Sequence, residues 1–484
     1  METRLVKPTA AVKGSGPRQF LTMAQNPEAP VGKDAAYGLA SYLLVGTAAR
    51  ATYLVVVALL TRVASVEVFA AYTLVRVLLP VLHTAADLGT SQATVRFAKD
   101  GPSVAGTSFA LRSGTALLIA AAGTGIVAVA APALLQTALW ASAALWLLST
   151  TESLASSLRA HERHGWVAAS HFGGACAEFG FALLLAERGS AGLELLVASV
   201  AARFAACFAI ALVPSFRHLG RPSVAVAKRL LAFGVSATFA QLVSTASALD
   251  RWLLEHLSNL AAVASYQLSA AAASVVEMFE QAVWLVVEPF VYRRGGGPGD
   301  SSALGMALSA YAGAAAAAGL TLALFAPEVM SLLAPRSYAP SLMAVPLLAF
   351  AAYNHGLFRI VGLGAGLAGR SKPWAVAGLV ELGMVGVLFV LLTPRGGATA
   401  AGLVRYVSSL VGVIVCARAA RSVWPQRLPV ARSLALGAAG TLLGCLSLTL
   451  QPSFGLRLAL GALVVVVAGV QLLRLYSERR KLAP

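Results

Sequence analysis

The chain has 484 residues, 58% of them apolar and only 12% charged, with 37 Lys and Arg against 20 Asp and Glu and a net charge of +17. Soluble globular proteins carry about 25% charged residues, and one aqueous core could not hide this much apolar surface. A water-soluble enzyme, a disordered tail protein and a nucleic-acid binder are set aside, and the class that remains is an all-α polytopic membrane protein.

Residues 1–36 are polar, contain Pro, and hold Arg4, Lys7, Lys13, Arg18 and Lys33. No apolar stretch precedes a small-residue cleavage site, so they read as a disordered basic cytoplasmic tail and not as a signal peptide. A bilayer core about 30 Å thick takes about 20 apolar residues per helix. On that measure spans fall at 37–60, 68–88, 107–131, 133–151, 166–186, 191–213, 229–249, 264–288, 303–325, 340–362, 373–393, 398–417, 430–450 and 456–475, fourteen in all. They group into a first six-helix bundle (37–213), a cytoplasmic linker (214–228), a second six-helix bundle (229–417), two extra C-terminal helices (418–475) and a basic cytoplasmic tail (476–484). The connections carry the breakers, among them Gly101-Pro102, Arg221-Pro222, Gly295 to Gly299, Pro335, Arg395-Gly396-Gly397 and Trp424-Pro425. Cys176, Cys207, Cys416 and Cys445 all sit in apolar runs and read as small buried hydrophobes, with neither disulfide nor metal expected. Trp140, Trp166, Trp374, Trp424 and Tyr476 lie at span ends, where aromatic rings anchor at the interface.

The basic residues alternate with these spans. With the N-terminus inside, 25 of the 37 fall in cytoplasmic segments and 6 (Arg62, Arg188, Arg251, Arg336, Arg395 and Arg457) in external ones. That asymmetry places both termini in the cytoplasm. The other six are Arg50, Arg76, Arg112, Arg203, Arg359 and Arg405, inside or at the edge of spans. Arg112 is near a cytoplasmic end and is expected to snorkel.

A charge inside a span costs at least about 2.5–3.5 kcal/mol on insertion scales, so the remaining five need a reason. In the second span, Tyr72, Arg76, Pro80, His83 and Asp87 share one helical stripe. His355 and Arg359 repeat the spacing in the tenth, with Asn354 beside them. Glu277, Glu280, Gln281, Trp284 and Glu288 form an acidic stripe in the eighth, and Glu178 and Glu381 are near mid-helix elsewhere. Aligned stripes point to a hydrated cavity. Arg50, Arg76, Arg203, Arg359 and Arg405 are the candidate substrate-binding set, because a guanidinium fork suits phosphate and stays charged. Glu178, Glu277, Glu280 and Glu381 are candidate ion-coupling groups, since carboxylates removed from water can exchange protons. The other reading is plain pairing of these charges across helices. His83 and His355 read as groups that satisfy a neighbour.

Two echoes suggest an internal repeat. Arg62 and Tyr72 resemble Arg251 and Tyr266, and Arg163 to Trp166 resembles Arg370 to Trp374; each pairs a span with the one six later. Leu59 to Tyr72 (LLTRVASVEVFAAY), Asp87 to Phe97 (DLGTSQATVRF), Leu230 to Gly234 (LLAFG) with Leu249 to Leu254 (LDRWLL), and Ala334 to Ser341 (APRSYAPS) resemble, in that order, segments of Wzx-type polysaccharide flippases of the multidrug/oligosaccharidyl-lipid/polysaccharide exporter superfamily. Pro335 and Arg336 depart from that family, which commonly has Gly there.

The resemblance, over roughly residues 37–475, implies two pseudo-symmetric six-helix bundles around a cationic cavity. It implies alternating access and the flipping of a polyprenyl-diphosphate-linked oligosaccharide across a bacterial inner membrane for cell-surface (lipopolysaccharide or exopolysaccharide) biosynthesis. Expected partners are the lipid-linked glycan, the bilayer and a glycan polymerase or other biosynthetic proteins; no cofactor, nucleic acid or enzymatic step is expected. The acidic stripe departs from a purely cationic lumen. The alternatives are a cation-coupled multidrug exporter of the same superfamily, and an intramembrane glycan polymerase or acyltransferase, which would need a larger extramembrane loop.

Overall fold

A computed structural model describes residues 33–161, 163–189, 191–246, 249–294, 300–367, 372–423 and 428–481. The expected N-terminal tail, apart from residues 33–36, and the Gly295 to Gly299 breaker lie outside the described residues, as do Trp424 and Pro425. Among the described residues there are sixteen α-helices and no strand. In chain order they are α1 (Lys33–Val63), α2 (Val66–Asp87), α3 (Thr90–Phe97), α4 (Ser103–Ala130), α5 (Leu135–Ala160), α6 (His164–Arg188), α7 (Leu193–Ser215), α8 (Val224–Ala246), α9 (Asp250–Leu257), α10 (Leu260–Arg294), α11 (Asp300–Leu324), α12 (Ala326–Leu333), α13 (Ala344–Leu367), α14 (Lys372–Val423), α15 (Val430–Leu450) and α16 (Phe454–Lys481). Eleven segments are long and apolar enough to cross a membrane by length and composition. The all-α polytopic class is as expected.

The fourteen expected spans each fall on a long helix, with one apparent exception. The spans at 373–393 and 398–417 share the 52-residue α14, which contains Pro394 and is broken at Gly397 (φ 50°, ψ −132°). A Cβ on Gly412 would stand 3.0 Å from a Glu381 carboxylate oxygen. Glu381 and Gly412 are nearly equidistant from the break, so the two arms must fold back on each other, and α14 is a helical hairpin. The left-handed φ at its tip is open to Gly without the Cβ penalty. Three short helices, α3, α9 and α12, are too brief to register as apolar spans.

Packing repeats along the chain. In the first half α1 packs on α6, α5 on α7 and α4 on α5. In the second half α8 packs on α14, α13 on α14 and α11 on α13, and α15 and α16 rest on α11. That is the same set of neighbours displaced by six spans. Helix α8, expected in the second bundle, also packs on α2, α3 and α4 of the first.

The halves meet at both ends. On the side where α1 begins and α16 ends (the tail side), α2 stops at Leu88 and Gly89, both with positive φ (51° and 68°). A Cβ on Gly89 would lie 2.0 Å from the Gly234 carbonyl oxygen of α8, so this backbone-to-backbone approach requires glycine. Phe97 meets Phe233 edge-on at 5.8 Å, and Arg229 pairs with Asp100 at 2.7 Å beside them. On the opposite side the Tyr338 hydroxyl donates to the Ala64 carbonyl at 2.8 Å, and Thr61 donates to the Leu333 carbonyl at 2.7 Å. The turn Ala334 to Ser341 therefore closes over the α1–α2 connection.

All four cysteines are free. Cys207 and Cys416 are buried as expected, but Cys176 is exposed on the outside of α6. Trp140 and Trp166 are exposed, as interfacial anchors would be.

Candidate functional site

Glu178, near the middle of α6, organises the first half. It is sealed, with 1% of its side chain exposed, and it uses both carboxylate oxygens: one meets Arg76 of α2 at 2.5 Å and the other meets Arg203 of α7 at 2.7 Å. The two arginines keep 21% and 20% of their side chains accessible. Arg76 also donates to the Tyr72 hydroxyl and lies 4.5 Å over the Tyr53 ring of α1. Charge-assisted hydrogen bonds and a cation–π contact thus hold one guanidinium from three helices. Its place at i+4 from Tyr72 follows from the stripe in the sequence.

A second centre lies in the other half. Asp250, the first residue of α9, is buried and accepts from Arg251 at 2.9 Å and from the Tyr266 hydroxyl at 2.6 Å. Arg405, on the second arm of α14, lies 3.5 Å from Asp250 and 3.9 Å from Glu381. Arg251, which the sequence places in an external segment, turns inward on α9 and donates to Gln267 of α10 at 2.8 Å. Gln267 in turn donates to the Tyr53 hydroxyl at 3.0 Å. The polar chain Glu178–Arg76–Tyr53–Gln267–Arg251–Asp250–Arg405–Glu381 therefore runs continuously from one half to the other.

A third pair lies between α10 and α13. Arg359 of α13 meets Glu280 of α10 at 2.7 Å, with His355 at 3.9 Å from the same carboxylate. Glu277, one turn earlier on α10, is half-buried. The side chains of Arg50, Gln281, Trp284 and Glu288 lie outside the described set.

One expectation needs correction. Arg112 does not snorkel. It has no exposed surface and is paired with Asp87, with its Nε donating to Thr90 at 2.9 Å. The left-handed turn at Leu88 and Gly89 bends α3 back, so Asp87 accepts from the Ser91 backbone at 3.0 Å while meeting Arg112. Asp87 thus leaves the stripe of Tyr72, Arg76 and His83 and serves the tail-side turn. His83 contacts Ser149 of α5 at 3.1 Å, which is the neighbour-satisfying reading. The interior carries charges of both signs. Among the described residues Arg76, Arg203, Arg251, Arg359 and Arg405 face Glu178, Asp250, Glu280 and Glu381 within 4 Å. At Glu178 one carboxylate serves two arginines.

Sequence reasoning missed Asp250, Tyr53 and Gln267. Asp250 read as part of a polar connection, and a single Tyr or Gln in an apolar span carries no spacing signal. It also missed Glu152 of α5, which lies 3.8 Å from Arg159 and 3.9 Å from His171.

The arrangement is one of paired helical halves joined by an internal polar chain, and its fold is similar to those of several solved membrane transporters. Lipid II flippase MurJ, in an inward closed conformation, matches with a TM-score of 0.71 at 11% identity, over 90% of this chain and 98% of that one. The MATE multidrug transporter DinF-BH matches with a TM-score of 0.58 at 14% identity, over 82% and 98% of the two chains. A MOP superfamily transporter from Pyrococcus furiosus matches at 0.57 and 14%, over 83% and 95%. Comparison of the sequence with protein families and with curated proteins gives no match.

Proposed function

We propose that this protein is a transporter that flips a polyprenyl-diphosphate-linked oligosaccharide across a bacterial inner membrane by alternating access, in the biosynthesis of a cell-surface polysaccharide. In this reading the tail side is cytoplasmic, with both termini there, and residues 37–213 and 229–417 are the two moving bundles. The observation that carries it is the pair Arg76 and Arg203: two partly accessible guanidinium groups on facing helices, spaced by one carboxylate. Such a pair matches the two phosphoryl groups of a diphosphate. The likeness to MurJ, over 98% of that flippase, supports a lipid-linked cargo. Arg50, Arg359 and Arg405 are assigned to the same anion path. Glu277, Glu280 and Glu381 are assigned to ion coupling, together with Glu178.

A second reading, a multidrug exporter, draws on the likeness to MATE transporters and on the four carboxylates that face the arginines. One experiment separates the two. Purified protein is reconstituted in vesicles loaded with a fluorescent polyprenyl-diphosphate sugar, and flipping is followed by quenching. The flippase reading expects flipping by the wild type and its loss in Arg76→Ala at equal protein level. Absence of flipping, with export of a cationic fluorescent dye from the same vesicles, assigns the exporter.

A further inference from the structure

The Glu178 centre has a geometry that simple anion binding does not need. A bare pair of arginines would attract a diphosphate more strongly than this one does. Instead a sealed carboxylate spends both oxygens on the two arginines, and each arginine uses one terminal nitrogen on it. We propose that Glu178 is a resident counter-anion: it and the cargo's diphosphate compete for the same two guanidinium groups, so that the arginines are never left bare when the cargo leaves. This rests on the flippase reading above.

The argument is electrostatic. Two like charges held close inside a low-dielectric bundle repel each other and resist burial, whereas a carboxylate within hydrogen-bond distance of both offsets most of that cost. A carrier that delivers an anion on one side must reset with its arginines covered. Glu178 supplies that cover from α6, while Tyr53 and Tyr72 brace Arg76 from α1 and α2. The fifth of each arginine side chain that stays accessible is where an incoming anion starts to displace the carboxylate. Glu178 is then a positioning residue whose charge weakens binding and aids release, and removing that charge trades turnover for affinity.

The test titrates purified full-length protein with farnesyl diphosphate, using farnesol as the uncharged control, and measures flipping in vesicles. Expected for Glu178→Gln is about tenfold tighter binding, equivalent to about 1.4 kcal/mol, with a lower maximal flipping rate. Glu178→Asp, which keeps the charge, does not tighten binding. Where Glu178→Gln alone does not purify as a monodisperse protein, Arg203→Met is compared with the double variant Arg203→Met, Glu178→Gln. The single change loses affinity at least tenfold, and the added Glu178→Gln recovers part of it. A structural role for Glu178 predicts the reverse, a further loss. If Arg76→Ala abolishes farnesyl diphosphate binding but no Glu178 change tightens it, the counter-anion is overturned and the flippase reading stands. If the wild type does not bind farnesyl diphosphate, both are overturned.

Discussion

The hydroxyl of Tyr53 on α1 accepts a hydrogen bond from the Gln267 side chain on α10 at 3.0 Å, while the ring of the same tyrosine lies 4.5 Å under Arg76. One side chain therefore touches both charge centres, by its edge and by its face. Tyr53→Phe keeps the face and removes the edge. It is expected to lower stability by about 0.5–1.5 kcal/mol, the worth of one hydrogen bond, and to leave diphosphate binding in place. Tyr53→Ala removes the cation–π contact as well, worth about 0.5–2 kcal/mol, and weakens binding. Thermal melting and farnesyl diphosphate titration of the two variants check this, and identical binding by both would show that the ring does not brace Arg76.

Asp250 and Glu381 both face Arg405, but at different distances and with different company. Asp250 is buried and also accepts from Arg251 and Tyr266, whereas Glu381 reaches Arg405 only at 3.9 Å. Removing the hub of a buried ion cluster costs about 3–5 kcal/mol. Asp250→Asn is therefore expected to lower the melting temperature by several degrees or to reduce folded yield. Glu381→Gln should change it by less than half as much. Equal losses would mean that Asp250 is not the hub.

Much of this arrangement is legible in the sequence, and the limits have physical causes. Apolar length and the breakers locate every long helix, including the reversal at Gly397, because bilayer thickness sets span length. The stripe spacing finds Arg76, and the positions of Arg203, Arg359 and Arg405 mark them as charges inside spans. Their partners are not legible. Which carboxylate meets which arginine depends on how α2, α6 and α7 face one another, and periodicity within one helix carries no information on that. Asp250 is hidden for a related reason, since eight residues of α9 with mixed polarity look like a loop. Arg112 is misread because closeness to a helix end suggests snorkelling, and only the left-handed turn at Leu88 and Gly89 brings Asp87 to it.

The tail-side junction depends on two glycines that touch. A Cβ on Gly234 would lie 2.3 Å from the Leu88 carbonyl oxygen, a distance no side chain can absorb because the opposing atom is backbone. Gly234→Ala is therefore expected to hold α8 away from the α2–α3 turn and to stop the proposed flipping while leaving the two halves folded. The readout is cross-linking of Asp100→Cys and Arg229→Cys by a short bifunctional thiol reagent, which spans the gap left when the arginine and aspartate tips that meet at 2.7 Å are cut back. Cross-linking should be efficient in the cysteine pair alone and fall sharply when Gly234→Ala is added. Unchanged cross-linking would show that the junction does not need this approach.

Arg112 and Asp87 make the sharpest stability test, because neither is exposed and neither belongs to the proposed anion path. Arg112→Ala leaves the Asp87 carboxylate buried with only Thr90 and Ser91 as donors, and a buried ion pair broken on one side loses about 3–5 kcal/mol. The single change is expected to cut folded protein in the membrane severely. Adding Asp87→Asn removes the stranded charge while keeping an acceptor for the Ser91 backbone, so the double variant should recover a large part of the loss. Folded yield by size-exclusion fluorescence compares the wild type, both single variants and the double. If Arg112 acted only by snorkelling to headgroups, the single change would be mild and the second substitution would add its own cost instead of relieving the first.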